Sequence, residues 1–123
     1  MTFATLAIVL SAAGVLVTGA LAVVFLRDPA TGMAQTTHRY EKLPEVMTDR
    51  YIAFTALTIG ATLYGDLKVI AALFAAFAFM GFADAYIYQR GGFPIAKHMA
   101  AGTAATIVMI VALMALRAQG GGT

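Results

Sequence analysis

Apolar residues run along this chain in four stretches separated by short polar segments, and their lengths suit a lipid bilayer better than the core of a water-soluble domain. The first, residues 3–26, contains no charged side chain. At about 1.5 Å of rise per residue it exceeds a hydrocarbon layer about 30 Å thick. It has no basic leading region, is longer than the apolar part of a signal peptide, and offers no cleavage site before Arg27, so it reads as a retained helix. Residues 48–64 form a shorter, threonine-rich stretch. Residues 67–88 and 95–116 again reach spanning length, and beyond the edge residue Lys68 their only charge-bearing side chains are Asp84 and the pair Lys97 and His98.

The polar interruptions set the expected topology. Gly65 and Asp66 predict a tight turn, and 89–94 another, with Gly91, Gly92 and Pro94 as its breakers. Short connections force neighbouring helices to run antiparallel, so the fold class expected is all-α: an integral membrane four-helix bundle with up-down-up-down topology, one domain over 1–123. The long connection, 27–47, carries the Asp28-Pro29 turn signal and a mixed-charge stretch from His38 to Lys42, and reads as an interfacial helix or a lid. Residues 118–123 read as a disordered tail. Arg27, Arg39, Lys42, Arg50, Arg90 and Lys97 fall on the side of the first and third connections, against Lys68 and Arg117 on the other. The positive-inside bias then makes those connections cytoplasmic and both termini external, in a bacterial inner membrane.

Composition agrees with lipid as the solvent: 61% of the 123 residues are apolar and 11% charged, where soluble domains hold about 45 to 50% apolar residues. Without cysteine there is no disulfide framework and no thiolate ligand or nucleophile. The formal charge of +2 is scattered, with no basic run, which excludes nucleic acid as a partner. Two histidines sixty positions apart, with no HxxxH or HExxH spacing, give no reason to expect a metal or haem, and no cofactor is expected. GxSxG, Walker and Rossmann signatures are missing too.

Chemistry is concentrated near one end of the expected bundle. A carboxylate inside an apolar span costs about 2.5 to 3.5 kcal/mol on insertion scales, so Asp84 calls for a partner and a purpose. Arg50 and Tyr51 open the second stretch, Asp84 nears the end of the third and His98 begins the fourth, which places all of them within about two turns of one interface. Tyr88 follows Asp84 by four residues on the same helix face, and Gly81 precedes it by three, leaving room beside it. Tyr51, Thr55, Thr58 and Thr62 share a face of the second stretch. A hydroxyl-lined, aromatic-rimmed cavity follows, with Asp84 and His98 as an acid/base pair, Arg50 holding developing negative charge, and Tyr51, Thr55 and Tyr88 binding substrate. The structural alternatives are an ion pair of Asp84 with Arg50, Arg90 or His98 that sets the register, a snorkelling role for Arg50 and Lys97, and an interfacial belt for the tyrosines. Small residues at helical spacing, Gly14 with Thr18, Ala71 with Ala75 and Gly102 with Thr106, predict close backbone approach.

From Arg50 onward, with GFADAYIYQRGG at 81–92 and KHMAAGTAA at 97–105, the chain resembles the small four-helix bacterial and fungal membrane proteins grouped as a domain of unknown function. The resemblance covers roughly the last seventy-five residues. It implies an arginine in span two, an aspartate in span three and a histidine in span four as the residues of interest, matched here by Arg50, Asp84 and His98. Family members tend to have arginine followed by aspartate, whereas here Asp49 precedes Arg50. Small multidrug transporters differ in carrying a glutamate in their first span, and fluoride channels in an asparagine-bearing pore motif; this chain has no asparagine. The general plan is similar to that of sterol isomerases and membrane terpene cyclases, an analogy of architecture alone. The function expected is a membrane-embedded acid/base enzyme of isomerase, cyclase or epoxide-opening type acting on a small lipophilic substrate. The alternatives are a non-catalytic accessory subunit or assembly factor of a larger membrane complex, or a proton-coupled small transporter working as a homo-oligomer.

Overall fold

The chain was examined as a computed structural model that describes residues 1–121, all of whose regular structure is helical. The elements are α1 (Phe3–Arg27), α2 (Pro29–Gln35), a 3-10 turn (Tyr40–Lys42), α3 (Leu43–Tyr64), α4 (Leu67–Arg90) and α5 (Ala96–Gly121). They form two compact units, Met1–Arg50 and Tyr51–Thr123.

In the first unit, Thr2 caps α1 by accepting from the Thr5 N–H, and Asp28 both ends α1 and caps α2, accepting from the Ala30 N–H and the Thr31 hydroxyl. The Thr31 hydroxyl bond is the main reason the Asp28 carboxyl titrates below its usual value. Its contribution to the cap is therefore full above the ordinary carboxylate range and is lost as pH falls through the depressed value. Gly32 is required where α2 folds back: a Cβ there would sit 2.6 Å from the Phe25 ring. No residue of α1 is buried. Among the described residues nothing lies within 4 Å of a Cβ added at Gly14, and the Thr18 hydroxyl bonds back to the Gly14 carbonyl at 2.9 Å.

The connection expected at 27–47 is largely helical. After α2, His38 N–H reaches the Met33 carbonyl and Thr37 N–H the Ala34 carbonyl, the paired bonds of a Schellman cap. The left-handed position of that cap is occupied by Thr37, at φ 58°. A β-branched residue there is strained by about 1 to 2 kcal/mol, whereas glycine adds about 0.5 to 1 kcal/mol of unfolded-state entropy. Thr37→Gly is therefore expected to stabilise the unit by roughly 0.5 to 1 kcal/mol, read as a higher unfolding midpoint by circular dichroism in detergent.

Three helices are long and apolar enough to cross a membrane: α1, α4 and α5. α3, which contains the expected span 48–64, is not one of them. It has 22 residues, but Glu45, Asp49 and Arg50 occupy its first turns. Its apolar part runs from Tyr51 for roughly fourteen residues, about 21 Å, short of the hydrocarbon thickness. The tail expected to be disordered is helical through Gly121, and residues 122 and 123 lie outside the described part.

The second unit is built on the antiparallel pair α4 and α5. Its buried residues are small: Ala61 on α3, Ala71, Ala78, Gly81 and Ala85 on α4, Gly102, Ala105 and Ala112 on α5. On α4 they recur at steps of seven, three and four, a coiled-coil-like seam in which side chains without bulk let two backbones approach. At the closest point a Cβ on Gly81 would lie 2.7 Å from the Gly102 amide nitrogen, and one on Gly102 would lie 2.8 Å from the Phe82 ring. Asp66 caps α4, accepting from Lys68 and Val69 N–H, after a turn whose Gly65 has φ 72°. The α3 segment 51–64 keeps its Cα atoms more than 8 Å from those of α4 and α5. It is joined to α4 by rings, with Phe54 edge-on to Phe77 at 5.6 Å.

Candidate functional site

The end of α4 fixes the first two members of the site. Gly92, at φ 77°, lets Phe93 N–H reach the Tyr88 carbonyl at 2.9 Å and its own N–H reach that of Gln89, which is a second Schellman cap. The hydrophobic contact that accompanies this motif is Tyr88 against Phe93, edge-on at 6.1 Å. Pro94 then prevents continuation of α4, and α5 starts at Ala96 with His98 in its first turn. The His98 ring lies flat on that of Tyr88, centroids 4.8 Å apart and planes 10° apart. One turn back along α4, Asp84 Oδ2 is 3.9 Å from His98 Nδ1.

That separation places a carboxylate and an imidazole in electrostatic contact, but it exceeds a hydrogen bond, which ends near 3.2 Å. Stacking on Tyr88 orients the His98 ring. Both side chains are half-open, Asp84 at 47% and His98 at 35% exposure. They are reachable by a molecule arriving beside them.

Beside them lies a groove of about 540 Å³. It runs from Asp84 and His98 along α4 to Phe77 and Phe74, about 15 Å at 1.5 Å per residue. Tyr51, Phe54, Thr55 and Thr58 of α3 form its second wall, and Ala101, Ala105 and Val108 of α5 line it as well. Tyr51, Phe54, Phe77 and Phe74 are linked in series by edge-to-face contacts at 5.4 to 5.9 Å. Apolar walls with a few converging polar groups and this volume are the usual make-up of a small-molecule site.

The threonine stripe is present, but its hydroxyl protons are committed. Thr55 donates to the Tyr51 carbonyl at 2.9 Å, Thr58 to that of Phe54 at 2.8 Å and Thr62 to that of Thr58 at 2.8 Å. Back-bonding of this kind is how a hydroxyl satisfies itself on an apolar helix. Toward the groove Thr55 and Thr58 present lone pairs.

Of the six residues singled out in the sequence, Asp84, His98, Tyr51 and Thr55 line this groove, and Tyr88 backs it through its stack on His98. Within the first unit the Arg50 guanidinium binds the neighbouring Asp49 carboxylate at 2.9 Å. A partner one residue away is reached without ordering a long loop. Phe54, Phe74, Phe77 and Met80 were not foreseen. Their signal was available: Phe74, Phe77, Gly81, Asp84 and Tyr88 follow one another at steps of three, four, three and four, one continuous face of α4. Among the described residues no group of three or more His, Asp or Glu side chains gathers as a metal site would need. No protein-family model, curated protein or solved structure matches the chain.

Proposed function

We propose that this is an integral membrane protein whose second unit takes a small lipophilic molecule into the groove and moves protons on it with Asp84 and His98. The observation that carries the reading is the pair at 3.9 Å, set at one end of an otherwise apolar groove. In an isomerisation, the Asp84 carboxylate removes a proton from one carbon of the substrate while the His98 imidazolium delivers one to another carbon. The double bond shifts, and the substrate's formula is unchanged. The site then holds a carboxylic acid and a neutral imidazole, and one proton passing between them, directly or through a water, restores it. Tyr88 keeps the imidazole plane fixed meanwhile. Arg90 and Lys97, flanking the α4 to α5 turn, put that turn on the cytoplasmic side by the positive-inside bias.

The test does not require the substrate to be known. Purified protein is incubated with a membrane lipid extract in deuterated buffer, and the recovered lipids are examined by mass spectrometry for deuterium bound to carbon. Enzyme-dependent labelling of one lipophile is the expected result; no labelling above a protein-free control would refute the proton-transfer reading.

A second reading, an accessory subunit of a larger membrane complex, draws on α1, which is apolar along its length and has no buried residue within its own unit. In that case native mass spectrometry of gently extracted protein would show a stoichiometric partner in place of a particle of this chain alone.

A further inference from the structure

On its α3 and α4 walls the groove offers hydrogen-bond acceptors, and His98 of α5 stands beside them. Each of its polar lining groups on α3 and α4 can accept a hydrogen bond: the Tyr51 oxygen, the Thr55 and Thr58 hydroxyls and the Asp84 carboxylate. The protons of both threonine hydroxyls are held by backbone carbonyls, so these groups meet a ligand as acceptors only. Among the described residues the Asp84 carboxylate makes no hydrogen bond, and its one ion-pairing neighbour is His98 at 3.9 Å. Among the described residues, none of the groove's lining side chains is lysine or arginine. Four aromatic rings, Tyr51, Phe54, Phe74 and Phe77, complete the lining, and the face of such a ring attracts a cation.

A neutral or anionic head group is poorly served here. A carboxylate or phosphate would face Asp84 with His98, already beside that carboxylate, as the one group to offset it, and an alcohol would use one acceptor and gain nothing from the charge. A head group bearing a positive charge and several N–H donors satisfies Asp84 and the threonine oxygens together, while its apolar body lies along Phe77, Phe74 and Val108. Resting on the groove being a lipophile site as proposed above, we infer that its ligand is a cationic amphiphile, an alkyl or aryl amine whose ammonium group pairs with Asp84.

Three probes of one chain length decide the matter: dodecylamine, 1-dodecanol and dodecanoate. Each is titrated calorimetrically into the full chain held in phosphatidylcholine nanodiscs at neutral pH, with empty nanodiscs subtracted to remove partitioning into lipid. The amine is expected to bind at least about tenfold tighter than the alcohol, and dodecanoate weakest, as one desolvated charge pair implies. Asp84→Asn should bring amine and alcohol to within about twofold of each other, because the pairing lost is specific to charge. Equal binding of amine and alcohol to the unmodified protein, or tightest binding of dodecanoate, would overturn the cationic assignment and leave the lipophile site standing. Failure of all three to bind would overturn both. The comparison among probes on the unmodified protein stands even if Asp84→Asn proves unstable.

Discussion

Gly81→Leu is expected to part α4 from α5 and to abolish the site with the fold of the second unit. Even the first added carbon would lie 2.7 and 2.8 Å from the Gly102 nitrogen and Cα and 3.2 Å from the His98 carbonyl oxygen. These are backbone atoms, so no rotamer change relieves the contact and the helices themselves must move apart. Overpacking of this kind costs about 1 to 3 kcal/mol for modest additions, and leucine adds three further carbons at the same point. Alanine sets the sign of the competition: its helix propensity exceeds that of glycine by about 1 kcal/mol, yet Gly81→Ala should still be destabilising because the clash outweighs that gain. Gly60→Ala is the control, since nothing lies within 4 Å of a Cβ there. The measurement is the unfolding midpoint in mixed micelles of dodecyl maltoside and SDS, with Gly60→Ala unchanged or raised, Gly81→Ala lowered and Gly81→Leu lowest. Equal midpoints for the two alanine variants would contradict the close crossing.

Asp84→Asn should lower carbon-bound deuterium labelling by about 10² to 10⁴, the usual worth of a positioned general base, and His98→Gln should do the same. Because the two act as one proton relay, the double variant should lose little beyond either single one. A purely structural Asp84 predicts the reverse pattern: intact labelling in whatever protein folds, and a large loss of stability. The geometry opposes that alternative. Among the described residues Asp84 makes no hydrogen bond, is 47% exposed, and meets His98 at 3.9 Å; an exposed ion pair of this length contributes less than about 1 kcal/mol. The unfolding midpoint of Asp84→Asn should therefore stay near that of the unmodified protein while labelling collapses.

Much of the site was legible because a helix converts spacing into a face. Asp84 with Tyr88, Gly81 before them, and Tyr51 with Thr55 and Thr58 are related by steps of three or four, and each falls on one side of its helix. The same rule extended upstream from Asp84 would have reached Phe77 and Phe74. Arg50 was assigned by depth from the interface, and depth does not say which carboxylate a long side chain will take. Asp49, next to it in the chain, is the one it binds. The 3.9 Å between Asp84 and His98 was beyond inference from spacing, because it depends on how closely α4 and α5 cross at Gly81 and Gly102.

The sequence by itself determined that the chain is helical and that the stretches forming α1, α4 and α5 are apolar enough to span a bilayer, although it also read 48–64 as a fourth span. Those properties follow from local rules: capping by Thr2, Asp28 and Asp66, termination at Gly92 and Pro94, and hydropathy summed along one segment. Tertiary structure alone decided that α4 and α5 form the tight pair, that α3 stands off and is held by the Phe54 and Phe77 rings, and that the space so left is a groove ending at Asp84 and His98. Packing of this kind depends on atoms far apart in the chain meeting at a few tenths of an ångström, and in lipid, where apolar surface gains little by leaving its solvent, shape rather than hydrophobicity selects which helix faces meet.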